Sequence, residues 1–200
     1  PGVTWWMIDE LGFDQSFLAK LSLTASALTL VGMFLFRRFM AERSIRYVVG
    51  FLTLAAFVLA LPILAMFYGF HEWTAAYTGG IVDARFIALV DTALESPLGQ
   101  ISMIPMLAWI ANSAPAHLKA TYFAVMASFT NLALSLSQLG AKYLNQMFTV
   151  TRLVRDASGV VVTPADYSEL GSLLIVQILV GLALPFAAIL FARITRFRSA

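Results

Sequence analysis

No cysteine occurs among the 200 residues, which excludes disulfides, thiolate nucleophiles and thiolate metal sites. Charge is scarce too. Asp, Glu, Lys and Arg make up 12% of the chain, where a soluble domain has about 25%. The start, PGVTWWMIDE, is acidic and lacks the basic region of a secretory signal. There is no internal repeat and no low-complexity tract. Phosphate-binding glycine loops, zinc-type HExxH helices and nucleophile elbows are absent. His71 and His117 stand singly, without metal-ligand spacing. The sequence therefore predicts no catalytic residue, no metal ligand and no cofactor, and an enzyme is not expected.

What is present is apolar: 60% of residues are hydrophobic, and the mean hydropathy is +0.83. A globule of this size cannot hide so much apolar surface, so an all-α integral membrane protein is predicted. Five spans are expected, at about 17–36, 47–70, 84–112, 119–148 and 170–192. Helix is the state that satisfies every backbone donor inside lipid. The roughly ten-residue alternating strands of a membrane barrel are missing. Five spans of about 20 residues leave half the chain for turns and one long loop.

Basic residues orient the spans. Arg37, Arg38, Arg43 and Arg46 follow the first span, His117 and Lys119 precede the fourth, and Arg193, Arg196 and Arg198 close the chain. Residues 71–83 hold no Lys or Arg; Glu72, Asp83, Trp73 and Tyr77 sit there and suit an outer interface. The expected topology puts the C-terminus in the cytoplasm and residues 1–16, 71–83 and 149–169 outside. Trp5 and Trp6 read as the outer, interfacial end of a sixth helix cut short at the start of the chain. The outer loop 149–169 is expected to hold a small hairpin around Asp156-Ala157-Ser158-Gly159. A helix start is expected at Thr163-Pro164-Ala165-Asp166, with Thr as N-cap and Pro in the first turn.

Three constellations interrupt the apolar pattern. Asp91 and Glu95, four residues apart, share one helix face and lie within about 10 Å of the bilayer centre. Carboxylates at that depth face a cavity or a partner. Two so close favour a shared proton, which suits proton coupling or the capture of a ligand with paired N–H donors. A structural pair bonded to neighbouring helices, or a span that begins later and leaves Asp91 in water, is the alternative. Pro97, Gly99 and Pro105 follow at once. Each proline removes a helical hydrogen bond, so the stretch reads as a helix break of the kind that lines transporter cavities, or as a simple kink. In the fourth span Thr121, Ser128, Asn131, Ser135, Gln138, Lys142 and Asn145 fall on one stripe. This stripe either lines a water-filled path or bonds helices together. Ser22, Ser26, Thr29 and Gly32 in the first span form a small-residue face suited to close helix packing.

The stretch from Ala88 to Leu144 resembles the folate–biopterin transporter family of the major facilitator superfamily. The likeness rests on Asp91, Glu95, Gly99-Gln100, Pro105-Met106-Leu107, Pro115, Ala120-Thr121, Phe123-Ala124, Met126, Ser128, Asn131 and Gly140. ELGFDQSFLAKLSL is similar to that family's link from helix seven into helix eight, and GMFLFRRFMAERSIR is a weaker relative of the superfamily's basic helix 8–9 loop. Lys119 before Ala120-Thr121, and Leu132-Ala133-Leu134 after Asn131, depart from the family's usual acid and glycines. The resemblance implies the C-terminal half of a major-facilitator-type bundle, about helices 8–12. The chain would then be a single transmembrane half-domain of five helices and the end of a sixth.

The activity implied is secondary transport of a pterin or organic anion by alternating access, with proton coupling. Asp91, Glu95, Gln100, Ser128, Asn131, Ser135 and Gln138 would bind substrate or protons. The expected partners are the lipid bilayer, a small-molecule substrate and the other half of the bundle or other membrane subunits. Nucleic acid is not expected, because the arginines fall at helix ends. The expected location is the cell's inner (plasma) membrane. A rival expectation is a non-transporting membrane scaffold derived from a transporter half; a related permease for sugar-peptide or other solutes is a third.

Overall fold

The computed structural model describes residues 2–98 and 114–194. In chain order these residues form α1 (Gly2–Asp9), α2 (Gln15–Glu42), α3 (Ile45–Phe67), α4 (Phe70–Tyr77), α5 (Ala84–Glu95), α6 (Lys119–Met147), β1 (Val154–Arg155), β2 (Val161–Thr163) and α7 (Leu170–Ile194). Short 3-10 turns follow α5 at Ser96–Leu98 and precede α6 at Ala116–Leu118. Four helices, α2, α3, α6 and α7, are long and apolar enough to cross a bilayer. With 23 to 29 residues each, they exceed the roughly 20 residues that a hydrocarbon core requires. The third expected span begins as α5, and its continuation over residues 99–112 lies outside the described residues. Gly99, Gln100 and Pro105 lie there too.

Polar side chains set the helix starts. Asp14 caps α2 by accepting from the Phe17 amide at 3.3 Å, and Ser44 caps α3 by accepting from the Tyr47 amide at 3.4 Å. Asp83 caps α5 through the Phe86 amide at 2.8 Å. These short acceptors satisfy amides that have no partner within the helix. Gly69 ends α3 in the left-handed region at φ 85°, which a glycine adopts without steric cost.

Several expected boundaries shift. α2 runs on through Arg37 and Arg38 to Glu42, so these two arginines are helical rather than in a loop. An Arg38–Glu42 ion pair at 3.0 Å, one helical turn apart, accompanies that extension. Residues 71–83 are not all loop, since α4 occupies the first part. Phe70, Trp73 and Tyr77 stack along α4, with ring centroids 5.7 and 4.8 Å apart. The expected helix start at Thr163 is overturned: Thr163 ends β2, and α7 begins at Leu170. Asp166 instead pairs its backbone with Thr151, and its carboxylate accepts from the Ser168 amide and hydroxyl. Both groups are thus committed outside a helix. Trp6 is buried against Phe67, with ring centroids 5.5 Å apart.

The expected hairpin is present. β1 and β2 pair antiparallel, and the Asp156 carboxylate accepts from the Ser158 amide, the Ser158 hydroxyl and the Val160 amide. Gly159 turns the chain at φ 85°.

Helix packing is sparse and the surface is apolar. Leu23 is 72% exposed and Phe34 is 74% exposed. Water would penalise such a surface heavily, whereas lipid is as apolar as the side chains it meets. The buried side chains gather at two places. Trp6, Met66, Ile87, Tyr167, Leu170, Leu173 and Leu174 form a core where α1, α3, α5 and α7 meet. Val48 packs with Phe36, Phe39, Leu52 and Leu98 at the other end. α3 and α7 approach closely beside the first of these, because Gly171 leaves room: a Cβ there would lie 2.6 Å from the Phe67 ring. α6 stands apart with no buried residue.

Candidate functional site

α5 buries one stripe, Ile87, Ala88 and Asp91, a spacing that a helix places on one face. Asp91 is therefore carried inward with its apolar neighbours, and only 7% of it remains exposed. Its Oδ1 is buried and meets no hydrogen-bond partner among the described residues. An ionised carboxylate buried without a partner is costly, and sites that tolerate it in membranes are functional more often than structural. Glu95 lies one turn on and is exposed.

Both carboxylates border a cavity of about 190 Å³. Its far wall is α3, where Ala56 and Ala60 leave space one turn apart, with Leu59 and Ile63 beside them. Its remaining wall is α7, through Leu174, Ile178 and Gln177. Gln177 was not anticipated from the sequence. The available signal was a lone amide inside the otherwise apolar run LLIVQILVG.

Next to the cavity, α5 breaks after Glu95. The α-helix stops there and continues as the 3-10 turn Ser96–Leu98, because Pro97 has no amide to offer the Ala93 carbonyl. The Ser96 hydroxyl folds back on the Thr92 carbonyl at 2.5 Å. From α2, the Thr29 hydroxyl donates to the Ser96 carbonyl at 3.0 Å. Gly32 lies under the turn so closely that a Cβ would sit 2.5 Å from the Pro97 Cα. Thr29 and Gly32 of the small-residue face expected on α2 thus dock the break in the acidic helix, whereas Ser22 and Ser26 are exposed and the Ser26 hydroxyl returns to the Ser22 carbonyl.

The stripe on α6 is not brought to the carboxylates. Ser128, Asn131, Ser135 and Gln138 are exposed, and the Ser128 hydroxyl returns to the Ala124 carbonyl of its own helix at 2.9 Å. The opposite face of α6 lines a wider cleft of about 850 Å³, against α7 and the start of α1. Ala133, Ser137, Gly140 and Ala141 supply that face, and Asn145 of the stripe reaches its edge. At 100° per residue, the four predicted stripe residues point away from it. Val3 and Gln177 border both the cleft and the cavity of Asp91.

Above the core, polar groups tie the loop to the helices. The Asp9 carboxylate accepts from the Tyr167 hydroxyl at 2.5 Å and from the Leu153 amide at 3.3 Å. The Glu169 carboxylate accepts from the Thr149 amide. Burial, and then the hydrogen bond to Asp9, hold the Tyr167 phenol above its ordinary pKa. Serine and backbone donors hold the Asp156 and Asp166 carboxyls below theirs.

Comparison with known proteins adds three findings. The sequence profile of the BT1 family matches residues 3–197. A protein of Synechocystis named folate-biopterin transporter is 30% identical over 166 residues, covering 83% of this chain and 32% of that protein. A protein of Plasmodium berghei, provisionally named folate transporter 2, is 27% identical over 136 residues, covering 68% of this chain and 28% of its own length. The chain thus spans about a third of these relatives. No solved structure matches it.

Proposed function

Because the chain belongs to the BT1 family, we propose that it forms the C-terminal half-domain of a secondary transporter that moves a pterin or related organic anion by alternating access, coupled to protons. The observation that carries this reading is the buried Asp91 carboxylate, unpartnered at Oδ1 among the described residues and facing a cavity beside a proline-broken helix. A proton, or a ligand presenting N–H donors, relieves that arrangement. Glu95 sits on the same cavity and gives a second acceptor one turn away. Pro97, with the turn it enforces, lets the two halves of the span move separately. Names of the two relatives support the substrate class.

Ser128, Asn131, Ser135 and Gln138 face away from the other described helices. They suit a surface that meets the rest of the bundle, with a polar path between. In the same reading the third span runs to about residue 112, giving five spans in a major-facilitator-type bundle. The arginine-rich ends face the cytoplasm, and the membrane is the cell's inner one.

The test uses the full-length protein in proteoliposomes. Uptake of a labelled pterin is measured with and without an imposed proton gradient, for the parent and for Asp91→Asn and Glu95→Gln. Gradient-driven uptake that is lost in Asp91→Asn, and reduced or uncoupled in Glu95→Gln, is expected. Absence of pteridine uptake in the parent overturns the substrate class. Uptake and pH dependence left intact in both variants overturn the roles given to the carboxylates.

A further inference from the structure

Two walls of the small cavity carry complementary chemistry. On α5, Asp91 and Glu95 present oxygen acceptors; on α7, Gln177 presents a side-chain amide that makes no hydrogen bond among the described residues. Between them, Ala56, Ala60 and Ile63 of α3 make an apolar wall. A carboxylate accepts only, whereas an amide offers both a donor and an acceptor. The pair therefore suits a flat group whose edge carries N–H donors next to a carbonyl. The cavity, at about 190 Å³, is smaller than the roughly 300–1,000 Å³ that holds a drug-sized ligand. It has room for a ring system and not for an extended tail. Gln177 and Val3 also border the cleft of about 850 Å³, so a tail attached to that ring leads past Gln177 into the wider space.

Resting on the transport reading above, we propose that Gln177 is the specificity residue of this site. Its amide NH₂ donates to the ring carbonyl of a bicyclic 2-amino-4-oxo heterocycle while Asp91 accepts from the neighbouring amino and ring N–H groups. Gln177 thereby distinguishes a 4-oxo ring from its 4-amino counterpart. Replacing the carbonyl by an amino group sets two donors against each other at Gln177, and it also removes the ring N–H that Asp91 accepts from.

The experiment measures competition against labelled pterin uptake by the full-length protein in proteoliposomes, using unlabelled pterin and 2,4-diaminopteridine. The readout is the ratio of their inhibition constants, normalised to the protein reconstituted. A change in fold or expression moves both constants together and leaves the ratio alone. Gln177 is expected to account for about fivefold of the parent's preference for the 4-oxo ring, the worth of one neutral hydrogen bond. Gln177→Leu lowers the ratio by about that factor and leaves the part owed to the ring N–H at Asp91. Gln177→Glu, which can only accept, lowers it further. Gln177→Asn, a methylene shorter, lowers it part of the way. A ratio near one in the parent, or a ratio unchanged across the variants while pterin uptake persists, overturns the assignment to Gln177 and leaves the transport reading standing. A parent that takes up no pteridine overturns both.

Discussion

Gly32 offers a severe test of how the acidic site is held. A methyl group added there would lie 2.5 Å from the Pro97 Cα and nearer still to the Pro97 carbonyl oxygen, where ordinary contact begins at 3.4 Å. Either α2 or the Ser96–Leu98 turn must retreat by about 1 Å or more. The turn is backbone and cannot rotate away as a side chain would. Over-packing of this kind costs roughly 1–3 kcal/mol. The retreat also stretches the 3.0 Å bond from Thr29 to the Ser96 carbonyl, which adds about 1 kcal/mol. Helix propensity works the other way, favouring Ala over Gly by about 1 kcal/mol. The net expectation for Gly32→Ala is a loss of about 1–3 kcal/mol.

Gly50 is the control. It lies within α3, and the nearest atom to an added Cβ is the Ile189 Cδ1 at 3.9 Å, so Gly50→Ala is expected to be neutral or slightly stabilising. The assay is equilibrium unfolding of the full-length protein in mixed micelles. Combination with Thr29→Val provides a double-mutant cycle, in which the two losses should fall short of additive because both open the same contact. If Gly32→Ala unfolds at the same denaturant concentration as Gly50→Ala, or if the cycle is strictly additive, the close docking of α2 on the break is refuted.

Two further predictions concern the loop between α6 and α7. Tyr167→Phe removes the hydroxyl that donates to Asp9 and should cost about 1.5–3 kcal/mol, the range for a bond to a charged acceptor; unfolding of the variant measures it. Because the Tyr167 pKa is raised in the fold, its stabilising contribution is complete below the unfolded value of about 10 and is lost as pH climbs through the folded one. A stability profile from pH 8 upward should steepen in the parent and flatten in Tyr167→Phe. At the hairpin, the Ser158 hydroxyl and backbone amides hold the Asp156 carboxyl below its ordinary value of 3.8. The turn should therefore hold above that pH and loosen as acid carries it through the lower folded pKa. Asp156→Ala should speed amide exchange at Ser158 and Val160 throughout, and equal exchange in variant and parent would show that the carboxylate does not organise the turn.

The four helices long and apolar enough to cross a bilayer were legible because they coincide with apolar runs over long windows. The hairpin follows from Asp156 and Gly159, whose local chemistry admits few alternatives. The face of Thr29 and Gly32 was legible as a packing surface, though not that its partner would be Pro97, since spacing names a face and not the element that meets it. Thr163-Pro164 misled for a related reason. A capping pattern describes what a segment can do alone, and the pairing of Asp166 with Thr151 is a contact from 15 residues away. In the site, Asp91 and Glu95 were conspicuous as charges in an apolar helix. Gln177 was not, because a neutral amide barely changes the hydropathy of its window, and its value depends on which helices face it. The α6 stripe was legible as a stripe; its direction relative to α7 required the packing.

α6 also bears on how the protein is made. Its mean hydropathy is 1.2, against 2.6 for α3 and α7, and Asn131, Gln138 and Lys142 each oppose insertion from within the span. α3 and α7 can partition into lipid on their own strength as they leave the translocon. α6 emerges before α7, the helix across its cleft. Its residence in the bilayer is thus expected to depend on companions already in place, which makes the stretch that carries the polar stripe the step of biogenesis most sensitive to added polarity.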